Sequence, residues 1–168
     1  MEIVIIRHAI AEDYEEYILT HQSDELRPLS AKGEEKMRKN ARGLKKLVPF
    51  IHYIASSQLR RAIQTAEILA RVYPSARRDV LSTLAPQGPV AVTLAYLQQY
   101  ESVASTVALI GHEPDLGELT TWFLSGRPGN WLPFKKGGAC LVEFPGKVTP
   151  GEAELRWVLT PTQLRKLT

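Results

Sequence analysis

The sequence predicts an α/β fold, a three-layer α/β/α sandwich around a mainly parallel mixed sheet. Two short apolar runs rich in β-branched residues, 2–6 and 106–110, are typical of strands buried on both faces. Amphipathic helical patterns lie between the strand-like runs, and this alternation favours parallel pairing. Segments 139–144 and 154–159 are also strand-like and are separated by a Pro/Gly-rich connection, so we expect them to add antiparallel strands at one edge.

The helices are predicted from apolar residues spaced three or four positions apart. They cover 30–48, 59–73, 86–100 and 115–126. Polar residues near the helix starts are the expected N-caps: Ser30, Ser56, Ser57 and Asp115. Gly126 is expected to end the last helix, and a further strand is predicted at 50–55. The polar segment 9–29 is too long for a tight connection, and such segments often carry function.

The composition of the chain limits the classes of function. With 168 residues, of which 44% are hydrophobic and 23% charged, we expect one globular domain spanning 1–168. The 21 basic and 18 acidic residues are spread along the chain, and no basic stretch interleaved with aromatic residues predicts nucleic-acid binding. No apolar run approaches the ~20 residues of a membrane span. The single cysteine, Cys140, cannot form an internal disulfide, which together with the lack of a signal-like start favours a cytoplasmic protein.

Two of the four histidines stand at equivalent places in the predicted fold. His8 and His112 each follow the end of a predicted apolar strand. Because parallel α/β sheets collect ligand sites beyond the carboxyl ends of their strands, we expect these side chains to meet although 104 positions separate them. His52, inside a predicted strand, is expected to be packed without a catalytic role, and His21 is expected to lie on the surface.

Arginines accompany the predicted strand ends. Arg7 precedes His8, while Arg60 and Arg61 lie in the first turn of a predicted helix. Helix N-termini favour anions, and guanidinium groups bind phosphate oxygens in pairs and remain charged. The pattern therefore suits a phosphoryl group. No acidic cluster has the spacing of a metal site, so we expect metal-free chemistry without a cofactor, in which arginines neutralise the charge.

Three segments, in order along the chain, resemble signatures of the histidine phosphatase superfamily, which has a phosphoglycerate mutase-like fold. They are IIRHA at 5–9, SQLRRAIQTA at 57–66 and GHEP at 111–114. Three further segments are similar to the short SixA-type phosphohistidine phosphatases: LRPLSAKG at 26–33, LAPQG at 84–88 and WVLTP at 157–161. The resemblance covers almost the whole chain. It departs from the family pattern at Ala9, where Gly is usual, and at Gln58, where Pro is usual.

The resemblance implies that His8 is the nucleophile, which accepts the phosphoryl group. Attack requires an unprotonated ring, and the charges of Arg7 and Arg61 disfavour a further positive charge on it. We therefore expect one ring nitrogen of His8 to donate to a backbone carbonyl, which leaves the other free to attack. The same resemblance places Arg7, Arg61 and His112 around the phosphoryl group. We also expect Arg27, in the polar segment, to bind substrate.

The general acid is left open by the sequence. Glu113 follows the second histidine, and the resemblance to a branch of the superfamily with an acid at this place implies that it protonates the leaving group. The alternative is that Glu113 faces solvent or caps the next helix, and Glu12 and Asp13 are further candidates for the acid. A phosphohistidine substrate needs a strong acid less, because the P–N bond is labile and neutral imidazole is a tolerable leaving group.

The predicted function is metal-independent hydrolysis of phosphohistidine on a protein, through a phospho-His8 intermediate. A phosphatase for a small-molecule phosphoester is the main alternative, and a phosphate-binding module without turnover is the third. The implied partners are a phosphohistidine-bearing protein or a small phosphoester, together with the phosphate anion. Neither a nucleic acid nor a membrane is expected as a partner. Only the segments 9–29 and 77–88 could wall the site, and such an open site suits a protein substrate.

Overall fold

The computed structural model describes residues 1–101 and 105–168, in which strands and helices alternate. The strands are β1 (Glu2–Arg7), β2 (Tyr53–Ser56), β3 (Arg77–Val80), β4 (Thr106–Gly111), β5 (Ala139–Glu143) and β6 (Glu154–Leu159). The α-helices are α1 (Tyr14–Ile18), α2 (Ala31–Leu47), α3 (Arg60–Val72), α4 (Val90–Gln98), α5 (Asp115–Ser125) and α6 (Pro161–Lys166). No helix in these two described ranges is long and apolar enough to cross a bilayer.

The six strands form one mixed sheet in the order β3-β2-β4-β1-β5-β6. The pairs β3–β2, β2–β4 and β4–β1 are parallel, whereas β5 and β6 pair antiparallel at one edge. This arrangement confirms the predicted mainly parallel sheet with an antiparallel edge. Because β1, β2 and β4 run in the same direction, their carboxyl ends meet at one edge of the sheet, where Arg7 lies opposite Gly111.

Helices cover both faces of the sheet, which confirms the three-layer α/β/α sandwich. Along β1, Val4 and Ile6 pack into the core beneath α2, α3 and α6, while Ile3 and Ile5 pack into the core beneath α4 and α5. All four side chains are at most 1% exposed, so the central strand is apolar on both faces. Complete burial of each such side chain contributes about 1.5–3 kcal/mol to folding.

The start of α2 is fixed against the backbone that follows His8. Ser30 caps the helix as predicted, since its hydroxyl accepts the N–H of Gly33 at 3.1 Å, and its own N–H donates to the carbonyl of Ile10 at 3.0 Å. Gly33 lies so close to that carbonyl that a Cβ at this position would overlap it. Glycine is therefore needed for α2 to pack here.

Three short elements, α1, β3 and α6, were not predicted from the sequence. β3 has the sequence RRDV and lies half-exposed to exposed at the sheet edge, so it carries no apolar signal. The strand predicted at 50–55 begins only at Tyr53, and His52 precedes it and is exposed. The prediction that His52 is packed was therefore wrong, although its Nδ1 accepts the N–H of Thr106 at 3.0 Å.

The expected caps of two helices were also wrong, namely Ser56 and Ser57 for α3 and Asp115 for α5. α3 begins at Arg60 without a side-chain cap, because the Ser57 hydroxyl accepts the N–H of Leu59, before the helix. Asp115 is the first residue of α5, and its carboxylate accepts the N–H of Gln87 at 2.7 Å instead of capping the helix. The C-terminal prediction is confirmed, since α5 is followed by Gly126 in the left-handed region with φ 68°.

Candidate active site

His8 lies directly beyond the end of β1 and is 5% exposed. Its backbone N–H donates to the carbonyl of Gly111 at 3.1 Å, which ties it to the end of β4. Its Nδ1 lies 2.7 Å from the carbonyl oxygen of Ala9. Because a carbonyl oxygen only accepts, this contact assigns the ring proton to Nδ1 and leaves Nε2 with a free lone pair. This bond from the His8 ring to a backbone carbonyl agrees with the prediction from the sequence.

His112 lies next to His8, with 4.9 Å between the ring centroids and 50° between the ring planes. Its Nε2 lies 2.7 Å from the hydroxyl of Ser57, at the end of β2, so three strand ends contribute to one cluster. Burial, the neighbouring His112 and then the charges of Arg61 and Arg7 lower the pKa of His8 to about 3. Burial and the same two arginines lower the pKa of His112 to about 4. Both rings are therefore neutral at neutral pH.

Arg7 and Arg61 bring two guanidinium groups to these histidines. Nη1 of Arg7 donates to the carbonyl of Phe134 at 2.7 Å. Arg61, in the first turn of α3, donates from Nη1 to the backbone carbonyl of Asp24 at 2.9 Å and pairs through Nη2 with the Asp24 carboxylate at 3.1 Å. The buried Nε atoms of Arg7 and Arg61 have no hydrogen-bond partner within residues 1–101 and 105–168. Arg60, by contrast, is exposed, as expected for a solvated residue of the helix.

Arg27 joins the same cluster through Asp24. Its Nε pairs with the Asp24 carboxylate at 2.6 Å, and its Nη1 donates to the carbonyl of Glu12 at 2.7 Å. Burial acts to raise the pKa of Asp24, but the hydrogen bond from Arg27 and the charges of Arg61 and Arg27 outweigh it and lower that pKa. Asp24 thus bridges two cations, a role that the sequence analysis missed. Its position three residues before Arg27 is the signal that could have found it.

Glu113 is half-buried and points toward the segment before β5. One carboxylate oxygen accepts the N–H of Phe134 at 3.0 Å, and the other accepts the side-chain amide of Asn130 at 3.2 Å. Glu113 makes no capping bond to α5, whose N-cap residue is Pro114. The carboxylate therefore neither caps the helix nor stands free in solvent, the two alternatives that the sequence analysis set against a role as acid.

Lys136 is a further cation near the cluster that the sequence analysis missed. Burial and then the charges of Arg7, Arg27 and Arg61 lower the pKa of Lys136. The next residue, Gly137, has φ 79°, and its N–H lies 3.1 Å from the carbonyls of both Arg7 and His8. The expected antiparallel strands were placed at one edge of the sheet without a named neighbour. The observed pairing of β5 with β1 is what brings the residues just before β5 beside the end of β1.

The arrangement is chemically suited to a tetrahedral oxyanion. A buried imidazole with a free nitrogen lies close enough to Arg7 and Arg61 for their charges to lower its pKa, and the buried Nε donors of these two arginines have no partner among the described residues. Charged donors in a buried site bind phosphoryl oxygens strongly. Among the residues that the structure describes, no three His, Cys, Asp or Glu side chains are grouped so as to hold a metal ion.

Comparisons with known proteins agree with the geometry. Residues 3–81 match the family described as "Histidine phosphatase superfamily (branch 1)". The phosphohistidine phosphatase SixA of Escherichia coli (strain K12) is 35% identical over 169 residues, covering 98% of this chain and 97% of SixA. An uncharacterized protein of Picosynechococcus sp. is 38% identical over 139 residues, or 82% of each chain.

A solved structure extends the match to the fold. The protein histidine phosphatase SixA complexed with tungstate superposes with a TM-score of 0.82 at 28% identity, covering 98% of this chain and 99% of that one. The likeness thus spans both the sheet and the segments that carry the histidines and arginines. The chain belongs to branch 1 of the histidine phosphatase superfamily.

Proposed function

We propose that this chain, acting as one domain over residues 1–168, is a metal-independent phosphohistidine phosphatase that works through a phospho-His8 intermediate. The observation that carries the proposal is the neutral, buried His8 ring, whose Nδ1 is held by the Ala9 carbonyl beside His112. The full-length likeness to SixA of Escherichia coli supports the choice of phosphohistidine as substrate. Tungstate, a tetrahedral oxyanion like phosphate, is bound in the solved SixA structure that this chain resembles.

In the proposed first step, Nε2 of His8 attacks phosphorus in line with the bond that breaks. The P–N bond of the substrate breaks, its electron pair stays on the leaving imidazole, and that imidazole takes up a proton from solvent. In the second step, water attacks phospho-His8, the new P–N bond breaks with its electron pair returning to Nε2, and phosphate leaves with His8 neutral again while one proton of the water passes to solvent. No net oxidation or reduction occurs, and one water is consumed for each phosphate released.

The cations have distinct parts in this proposal. The partnerless Nε atoms of Arg7 and Arg61 would donate to the equatorial phosphoryl oxygens, with His112 as a further hydrogen-bonding group. Arg27 would act from the rim of the pocket, since Asp24 already holds its Nε. The pocket would thus offer charge stabilisation without a metal.

A protein substrate fits the surface next to Arg27 better than a small ester does. Large apolar side chains of the segment 12–27 are exposed there, namely Tyr14, Ile18, Leu19 and Leu26. Single exposed apolar residues are ordinary, but four within one short segment next to the pocket favour contact with another protein surface. A small phosphoester would leave this surface unused, and hydrolysis of small esters remains the second candidate function.

The test is phosphate release from a phosphohistidine-bearing protein and from a panel of small phosphoesters, without added metal. We expect wild type to prefer the phosphohistidine protein and His8→Asn to lose activity by about 10³-fold or more. His21→Asn is the matched control, because it removes an exposed imidazole whose positive φ of 58° asparagine tolerates. Full activity of His8→Asn would disprove the covalent mechanism, and a preference for the esters would favour the second candidate.

A further inference from the structure

We propose that Glu113 is a positioning residue, which holds the backbone of Phe134, the residue whose carbonyl anchors Arg7 beside the phosphoryl group, and that it does not deliver the proton to the leaving group. This inference rests on the proposed function, since it assigns Arg7 to the phosphoryl oxygens. It reverses the acid role that the sequence resemblance implies for Glu113.

The backbone of Phe134 is held on both sides of its Cα atom. On one side its N–H donates to a carboxylate oxygen of Glu113 at 3.0 Å, and on the other its carbonyl accepts Nη1 of Arg7 at 2.7 Å. Phe134 itself is 5% exposed, so its peptide groups have little access to replacement water. The N–H belongs to the peptide before Phe134 and the carbonyl to the peptide after it, so Glu113 holds the backbone on one side of this residue and Arg7 is anchored to the backbone on the other.

The second carboxylate oxygen of Glu113 is held as well. It accepts the amide of Asn130 at 3.2 Å, and that amide also lies 3.4 Å from the carbonyl of Pro114. The Asn130 side chain lies against Gly117, where any Cβ would overlap it. The space for Asn130 thus exists because residue 117 has no side chain. Both carboxylate oxygens of Glu113 are therefore engaged, one by the N–H of Phe134 and the other by the amide of Asn130.

This arrangement suits positioning and not proton transfer. A general acid must present a proton to the leaving atom, whereas both oxygens of Glu113 accept hydrogen bonds from N–H groups of the segment before β5. The same carboxylate opposes the effect of burial on Arg7, because burial lowers the pKa of Arg7 and the charge of Glu113 raises it. With Nη1 anchored, the buried Nε of Arg7, which has no partner within the described residues, is left for a phosphoryl oxygen.

The test compares Glu113→Gln and Glu113→Ala with wild type, using Glu118→Gln as the matched control because Glu118 is exposed in the first turn of α5. Binding of tungstate is measured by calorimetry, which needs no turnover. The rates with phosphohistidine and with esters of differing leaving-group pKa are measured beside it.

A positioning role predicts that Glu113→Ala weakens tungstate binding about tenfold, the size of one lost charge-assisted hydrogen bond. Glu113→Gln should stay within about threefold of wild type, because its amide oxygen still accepts the N–H of Phe134. The rate loss in either variant should be the same for good and poor leaving groups. Asn130→Ala should weaken tungstate binding in the same direction by a smaller factor.

A general acid predicts a different pattern. Glu113→Gln would then be as inactive as Glu113→Ala, tungstate binding would be unchanged, and the rate loss would grow with the pKa of the leaving group. Either unchanged tungstate binding in Glu113→Ala or that leaving-group dependence would overturn the inference. If Glu113→Ala does not fold, the comparison of Glu113→Gln with wild type still decides between the two patterns. Failure of the proposed function would give a different result, because wild type would then not hydrolyse phosphohistidine at all.

Discussion

Lowering the pH from 7 to 5 should destabilise this protein through its two buried histidines, His8 and His112. Their exposed fractions are 5% and 3%, and their pKa values in the folded protein are about 3 and about 4. In the unfolded chain both would titrate near ~6.5. The unfolded state therefore binds protons in this pH range while the folded state does not.

The direction and size of the effect follow from proton linkage. The folded pKa is depressed, so the contribution of each histidine to stability is complete above about pH 6.5 and is lost as the pH falls toward the folded value. The slope is about 1.4 kcal/mol per pH unit for each ring, which integrates to roughly 2 kcal/mol per histidine between pH 7 and pH 5. Because both rings remain neutral in the folded protein over this window, the two contributions add to roughly 4 kcal/mol, a large part of the ~5–15 kcal/mol typical of a domain.

The assay is denaturant unfolding at pH 7, 6 and 5 in buffers without phosphate. His8→Asn and His112→Asn should each reduce the difference in unfolding free energy between pH 7 and pH 5 by roughly 2 kcal/mol, whatever they do to stability at pH 7. His21→Asn, which removes an exposed histidine, serves as the control. If both pocket variants keep the full pH dependence of wild type, the histidines are not buried in their neutral form and the reasoning is wrong.

Two substitutions test contacts that hold the pocket residues and the neighbouring helix α2 in place. Ser57→Ala should lower the unfolding free energy by about 1–2 kcal/mol and reduce kcat, because His112 loses the hydroxyl 2.7 Å from its Nε2; an unchanged kcat would show that Ser57 does not orient the ring. Gly33→Ala should destabilise the protein by about 1–3 kcal/mol, because the new Cβ would overlap the carbonyl of Ile10. Gly146→Ala is its control, since nothing lies within 4 Å of a Cβ there, and equal melting temperatures for the two glycine variants would contradict the packing argument.

The sequence was most informative where one residue type has one physical reason to be present. Apolar β-branched runs predicted β1 and β4, and the rule that ligand sites collect at strand ends then predicted that His8 and His112 lie together. The contact between the two rings agrees with that expectation. The predicted fold class and the predicted N-cap at Ser30 are also found in the structure.

The features of the fold and of the site that were not predicted depend on contacts that no local sequence pattern encodes. The interactions of Glu113 could not be predicted, because Phe134 and Asn130 follow it by 21 and 17 positions and have no signature of their own. β3 escaped detection because an exposed edge strand needs no apolar residues. His52 was expected to be packed because it lies within an apolar run at 50–55. That run does not indicate burial at its start, since its first residue, Phe50, is 72% exposed.

The in-register pairing of β1 with β4 separates the parts of this chain that can change in length from those that cannot. Each residue from Glu2 to Arg7 faces one partner from Thr106 to Gly111. One inserted or deleted residue inside either strand would turn every following side chain to the opposite face of the sheet. The segments 14–23 and 81–89 lie outside this register, so they can lengthen or shorten without disturbing it. Changes of length in these two segments therefore leave Arg7 opposite Gly111 and keep the spacing between His8 and His112 at the strand ends.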